Sequence, residues 1–121
     1  MSKRILLVDD SASVRRLVKE FIENRPGLEV CGEAIDGVDG IEKARELKPD
    51  LIVLDLVMPR MNGLEAAAAL QTIVPNSPII LFTFHKDAIS SRLARNVGIT
   101  SVLAKTDLLH TLADEVQRLI A

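Results

Sequence analysis

The chain has no Trp and no Tyr, and its aromatic residues are Phe21, Phe82 and Phe84 alone. Base-stacking platforms and flavin-sandwiching pockets need several aromatic faces, so neither has the material to be built here. A basic surplus is missing too, since 15 Lys and Arg face 17 Asp and Glu. Proteins that neutralise many phosphates carry such a surplus, and direct nucleic-acid binding is therefore not expected. Cys31 stands alone, which excludes an intrachain disulfide, and it makes no zinc-binding spacing with His85 and His110. No apolar run approaches the length of a membrane span, and the run Ile5 to Val8 behind the basic start is cut off by Asp9 and Asp10 before it could serve as a signal peptide. The expectations are a cytoplasmic location and no membrane contact.

What the sequence does have is aliphatic: Leu, Ile and Val supply 39 of the 121 residues. That is ample for one buried core, and the chain is too short for a second, so residues 1–121 are read as a single domain. The aliphatics gather in five short runs, Ile5 to Val8, Leu28 to Cys31, Leu51 to Leu54, Ile79 to Phe82 and Val102 to Ala104. Four lack polar alternation, as strands covered on both faces do, while Glu29 inside the second marks it as a more exposed edge. Between them lie helical patterns. Val14, Leu17, Val18, Phe21 and Ile22 recur at helical spacing, as do Leu109, Leu112, Ala113, Val116, Leu119 and Ile120. Asp36-Gly37 opens another helix that closes at Lys48-Pro49, and Asn62 followed by Glu65 predicts a capped start for the alanine-rich segment. The fourth helix has a thin stripe of Ile89 and Leu93, with Asp87 as its expected cap.

Five alternations of strand and helix require a parallel sheet with right-handed crossovers and helices on both faces. The expected fold is α/β, a flavodoxin-like (βα)5 three-layer sandwich with strand order 2-1-3-4-5. Ligands of such sheets sit at the carboxyl ends of strands 1 and 3, where the order reverses. Strand 1 runs into Asp9 and Asp10 there and strand 3 into Asp55, while strands 4 and 5 end in Thr83 and Lys105. Three carboxylates in close quarters force a proton onto one member or require a cation, and with no Cys or His beside them the suited ions are Mg²⁺ or Mn²⁺. A hydroxyl and an ammonium on the same rim suit an anion. Taken singly, each of these residues reads as a helix cap or a solvated charge; the constellation is what carries weight. It fits phosphoryl transfer to a carboxylate, with Asp55 as nucleophile between the acidic pair and the Thr83 and Lys105 donors.

Asp9-Asp10, Asp55 with Met58-Pro59 and Asn62-Gly63 behind it, then Thr83, then Lys105, resemble over essentially the whole chain a CheY-like response-regulator receiver domain. The wording Glu33-Ala34-Ile35-Asp36-Gly37 and Lys48-Pro49-Asp50-Leu51 is most similar to receivers of the LuxR/NarL type, and the chain is expected to hold no DNA-binding output domain of its own. The resemblance implies that Asp55 is the phosphoacceptor, that Asp10, Asp55 and the backbone carbonyl of Val57 ligate Mg²⁺, and that Asp9 acts through a metal-bound water. Thr83 and Lys105 then hold the phosphoryl group. It further implies a histidine kinase or phosphotransfer protein as donor, a downstream effector, a possible homodimer, and a switch rather than a true enzyme. Three positions depart from the pattern: Val102 replaces the usual switching aromatic, Phe84 follows Thr83 where a small residue is common, and Thr106 replaces a Pro that is often cis. A trans bond, or visible strain, is expected at Thr106. Val57 and His85 flank the site and are read as tuning the lifetime of the acyl phosphate. The alternative is a degenerate receiver that only docks partners without being phosphorylated. Phosphatases of the aspartate-nucleophile kind resemble Asp-x-Asp instead, and a flavodoxin-like carrier would need a Ser/Thr-rich phosphate loop after strand 1.

Overall fold

A computed structural model describes residues 2–120. Its strands are β1 (Lys3–Val8), β2 (Leu28–Ala34), β3 (Leu51–Leu54), β4 (Ile79–Thr83) and β5 (Ser101–Ala104), and its helices α1 (Ala12–Glu23), α2 (Gly37–Leu47), α3 (Gly63–Ile73), α4 (Ser91–Asn96) and α5 (Leu109–Ile120). All strand pairs are parallel, in the order β2-β1-β3-β4-β5, as the alternation requires. The fold is the flavodoxin-like arrangement that the alternation predicts, with strand order 2-1-3-4-5.

Because successive side chains of a strand point to opposite faces, continuous apolar runs feed two cores. Leu6, Val8, Ile52, Leu54, Ile79 and Leu81 pack beneath Ala44 of α2, Ala66, Ala67 and Leu70 of α3 and Ala94 of α4. On the other face, Ile5, Leu7, Leu51, Val53, Ile80 and Phe82 meet Val18 and Ile22 of α1 and Leu112 and Val116 of α5. Small alanines on the first set of helices let them lie close to the sheet. Gly40 of α2 shows how close, since a Cβ there would meet the Val8 side chain at 2.9 Å.

Two elements differ from the sequence reading. β2 continues past Cys31 to Ala34, because a bulge absorbs one residue: Ile5 pairs with Val30 and Leu6 with Gly32, leaving Cys31 between them. The strand is the half-exposed edge that Glu29 foretold. The fourth helix is capped not by Asp87 but by Ser90, whose hydroxyl accepts the Leu93 amide at 3.1 Å. Asp87 lies in a separate 3₁₀ turn, Lys86–Ala88, and Ile89 precedes the helix. Ala94, outside the expected stripe, is the residue α4 buries. The other expected boundaries hold: Asp36 caps α2 and Lys48 ends it in a left-handed conformation, while Asn62 and Glu65 form a reciprocal capping box on α3. Among the described residues every peptide bond is trans, Thr106 included.

Candidate functional site

The register of the sheet levels the ends of its strands. Val8 pairs with Leu54, so Asp9 and Asp55 leave the sheet side by side, and Thr83 pairs with Ala104, so Lys105 follows at the same rim. Backbone bonds continue the ladder into these residues: Asp9 N donates to Ala34 O at 3.0 Å, Asp55 N to Val8 O at 2.9 Å and Lys105 N to Thr83 O at 2.8 Å. The candidate side chains are thus carried by strand ends held in the backbone ladder rather than by free loops.

Asp9, Asp10 and Asp55 each bring a carboxylate oxygen within 4.8 Å of the others, with Asp9 and Asp55 buried and Asp10 exposed. Lys105 Nζ enters this cluster, 2.7 Å from Asp9 Oδ2 and 3.4 Å from Asp55 Oδ1. The ammonium that was read as a donor to an anion therefore serves here as the counter-ion of two carboxylates, and its tighter partner is Asp9. Three carboxylates against one ammonium leave a surplus of two negative charges. Burial pushes the Asp55 carboxyl up from its ordinary range and the neighbouring Asp9 carboxylate adds to this, against the lowering pull of Lys105. An all-oxygen donor set with a surplus of two fits a hard divalent cation such as Mg²⁺ or Mn²⁺.

The remaining predicted residues are placed as follows. Thr83 is fully buried at the end of β4, and its Oγ1 accepts the His85 amide at 3.0 Å, which fixes the hydroxyl and keeps its own proton for another acceptor. Asp55 Oδ1 accepts the Leu56 amide at 2.8 Å. Val57 lies on the loop after Asp55 with its side chain exposed. Phe84 is 65% exposed and its ring centroid lies 5.3 Å from Lys105 Nζ, a cation–π contact. It borders a mostly apolar cavity of about 220 Å³ with Val14, Leu17, Phe82 and Leu109. Val102 is partly buried against the core on the α2–α3–α4 side, whereas Phe84 lines its cavity with residues of α1 and α5.

Sequence reasoning missed three supports. Arg15 donates to the Asp9 carbonyl at 2.6 Å and to Glu33 at 2.9 Å, bracing the turn that carries the acidic pair. Arg60 grips Asp36 across 24 residues of chain. Gly63 lies so close to the strand end that a Cβ would stand 2.3 Å from the Asp55 carbonyl. The pair Asn62-Gly63 signalled a helix start, but nothing local signals the ion pairs, whose partners meet only in the fold.

The sequence profile described as "Response regulator receiver domain" matches residues 5–117. The chain belongs to that family. The chemotaxis protein CheY of Thermotoga maritima is 46% identical over 81 residues, which is 67% of each chain. A protein-glutamate methylesterase/protein-glutamine glutaminase of Myxococcus xanthus is 42% identical over 84% of this chain, but the likeness spans only 29% of that protein. Among solved structures, a LuxR-family two-component response regulator from an Aurantimonas species superposes with a TM-score of 0.90 at 30% identity, covering 98% of this receiver and 84% of that chain. Both CheY-type and LuxR-type receivers thus resemble it. Phosphorylation-dependent switching is general for receiver domains, which interact with histidine kinases and effectors and bind Mg²⁺ at an acidic pocket. No described helix of this receiver is long and apolar enough to cross a membrane.

Proposed function

We propose that this receiver takes a phosphoryl group onto Asp55 from the phosphohistidine of a histidine kinase or phosphotransfer protein, with Mg²⁺ bound by Asp10, Asp55 and the Val57 carbonyl and through water by Asp9. The observation that carries the reading is the convergence of three carboxylates and Lys105 at the ends of separate strands. Asp55 Oδ1 is held by the Leu56 amide and Lys105, so Oδ2 is the oxygen that attacks phosphorus. The N–P bond of the donor breaks as the O–P bond forms, and imidazole leaves with its electron pair. Bound Mg²⁺ supplies neutralisation of the phosphoryl oxygens. Lys105 then exchanges carboxylate partners for a phosphoryl oxygen, and the Thr83 hydroxyl donates its proton to a second. Thr83 ends β4 and Lys105 directly follows β5, so their shift toward the new charge carries the switch to the α4–β5–α5 side. With Val102 in place of an aromatic, the coupling runs through Thr83 and the segment 84–87 to a downstream effector or a second copy of the receiver, in the cytoplasm. The chain assists its own phosphorylation and dephosphorylation and turns over no metabolite.

Amide NMR with beryllofluoride and Mg²⁺, a stable mimic of the acyl phosphate, tests this reading. Saturable shifts at Asp55, Thr83, Lys105 and residues 84–87 are expected. A spectrum unchanged by beryllofluoride would favour the phosphorylation-independent docking module instead.

A further inference from the structure

Arg60 is one of two non-glycine residues with a left-handed backbone among those described, at φ 66°, the other being Lys48 at the end of α2. A helix terminus explains Lys48; Arg60 lies in the connection between β3 and α3, where no helix ends. The Met61 amide donates to the Pro59 carbonyl at 2.7 Å, closing a three-residue turn centred on Arg60. With positive φ this is the rare, strained form of that turn, and a side chain held there needs compensation from its contacts. The compensation is visible. Arg60 Nε donates to Asp36 Oδ2 at 2.7 Å and Nη2 to Asp36 Oδ1 at 3.1 Å, a two-pronged pair with a carboxylate that is only 3% exposed. Asp36 is fixed in turn, because Oδ1 also accepts the Asp39 amide at 2.8 Å as the cap of α2. The loop rests on that same helix start, for a Cβ on Gly37 would lie 2.8 Å from the Met61 carbonyl and side chain. At its base the loop is closed by the Gly63 amide on the Leu56 carbonyl at 2.8 Å.

We propose that Arg60 is a positioning residue for the cation site: its ion pair with Asp36 latches the β3–α3 connection onto the start of α2 in the shape that presents Asp55 and the Val57 carbonyl to Mg²⁺. The inference rests on the reading above that these groups ligate the ion. Asp36 and Arg60 themselves stay out of the cation's coordination, since both Asp36 oxygens are engaged by the Arg60 guanidinium and a guanidinium has no lone pair to offer a metal. Without the latch nothing ties the turn to the start of α2, the Val57 carbonyl is no longer pre-placed, and Mg²⁺ must order the loop as it binds.

The test is an amide NMR titration with MgCl₂ on the full chain and on Arg60→Gly, Arg60→Lys, Asp36→Asn and the Arg60→Gly/Asp36→Asn pair. Gly adopts a positive φ without strain and Asn remains a good helix cap, so these variants keep the fold while losing the latch. Arg60→Lys retains the charge without the fork. If the latch positions the loop, each single variant weakens Mg²⁺ binding, by roughly tenfold, the low end of what supporting partners of metal ligands contribute. The double variant is then no weaker than the weaker single one. Charge alone predicts a different pattern: removing the Arg60 cation tightens Mg²⁺, removing the Asp36 anion weakens it, and the double variant returns to the starting affinity. That pattern, or unchanged affinity in Arg60→Gly, overturns the inference. A full chain with no saturable Mg²⁺ shifts would instead overturn the cation reading on which it rests.

Discussion

As the proposed phosphoacceptor, Asp55 carries opposing demands: it must stay ionised to attack phosphorus, yet it is buried beside another carboxylate and its pKa is raised for that reason. A carboxyl whose pKa rises on folding contributes stability that is fully present below its unfolded value, near 3.8, and is lost as the pH climbs through the folded value. At neutral pH ionised Asp55 therefore works against the fold. Asp55→Asn is expected to raise the melting temperature by a few degrees at pH 7 without Mg²⁺, with the gain vanishing in acid, while phosphorylation is abolished; thermal denaturation at several pH values reads this out. Gly63 makes the opposite case. Its missing Cβ is what lets α3 start against the Asp55 carbonyl, so Gly63→Ala should destabilise by about 1–3 kcal/mol or more in urea unfolding and slow phosphorylation by displacing the nucleophile. That Asp9, Asp10, Asp55, Thr83 and Lys105 would meet at one rim was legible because they directly follow apolar runs that the alternation orders into one sheet. That Lys105 would pair first with Asp9 was not, since a choice between two carboxylates depends on tenths of an ångström set by packing.

Strands announced themselves more clearly than their ends. Leu51 to Leu54 and Ile79 to Phe82 are apolar throughout and could lie nowhere but between two helical layers. The bulge at Cys31 escaped the reading because an extra residue in one strand is visible only against its partner's register. α4 escaped it in part because hydroxyl and carboxylate caps compete within a few residues, and the 3₁₀ turn consumed Asp87 before Ser90 could act. A tie between elements that sequence reasoning also missed joins β5 to α5: Glu115 accepts from the Ser101 hydroxyl and from Arg118, at 2.6 and 2.8 Å for the two guanidinium nitrogens. Arg118 above all, then Ser101, holds the Glu115 pKa down at about 2. Because that value is depressed, the stabilisation is present above the ordinary pKa near 4.5 and is lost as the pH falls toward 2. Glu115→Gln should cost about 1 kcal/mol at pH 7, a modest figure because Arg118 is 65% exposed and its charge is screened. The difference from the parent chain should shrink between pH 5 and pH 2 in urea titrations; an unchanged difference would remove Glu115 from the acid sensitivity of this tie.

Topology gathers these local features into one site. The order β2-β1-β3-β4-β5 brings the ends of β1 and β3 together and sets those of β4 and β5 beside them, so that residues up to 96 positions apart in sequence share one rim. The alternation of apolar runs and helical stripes made this arrangement legible before any coordinate. The clamps by Arg15 and Arg60 were not, because they belong to the assembled molecule and to no stretch of it. The net negative site predicts a linkage: Mg²⁺ should raise the melting temperature of the receiver in a concentration-dependent way, and Asp55→Ala should lose most of that response. An equal response in Asp55→Ala would place the cation elsewhere. The most direct test of the account is intact mass after incubation with a small-molecule acyl phosphate and Mg²⁺, run beside Asp55→Ala and a metal-free control. The account predicts a single phosphoryl adduct on the parent chain and none in either control. An adduct that persists in Asp55→Ala, or forms equally well without a divalent cation, would contradict it.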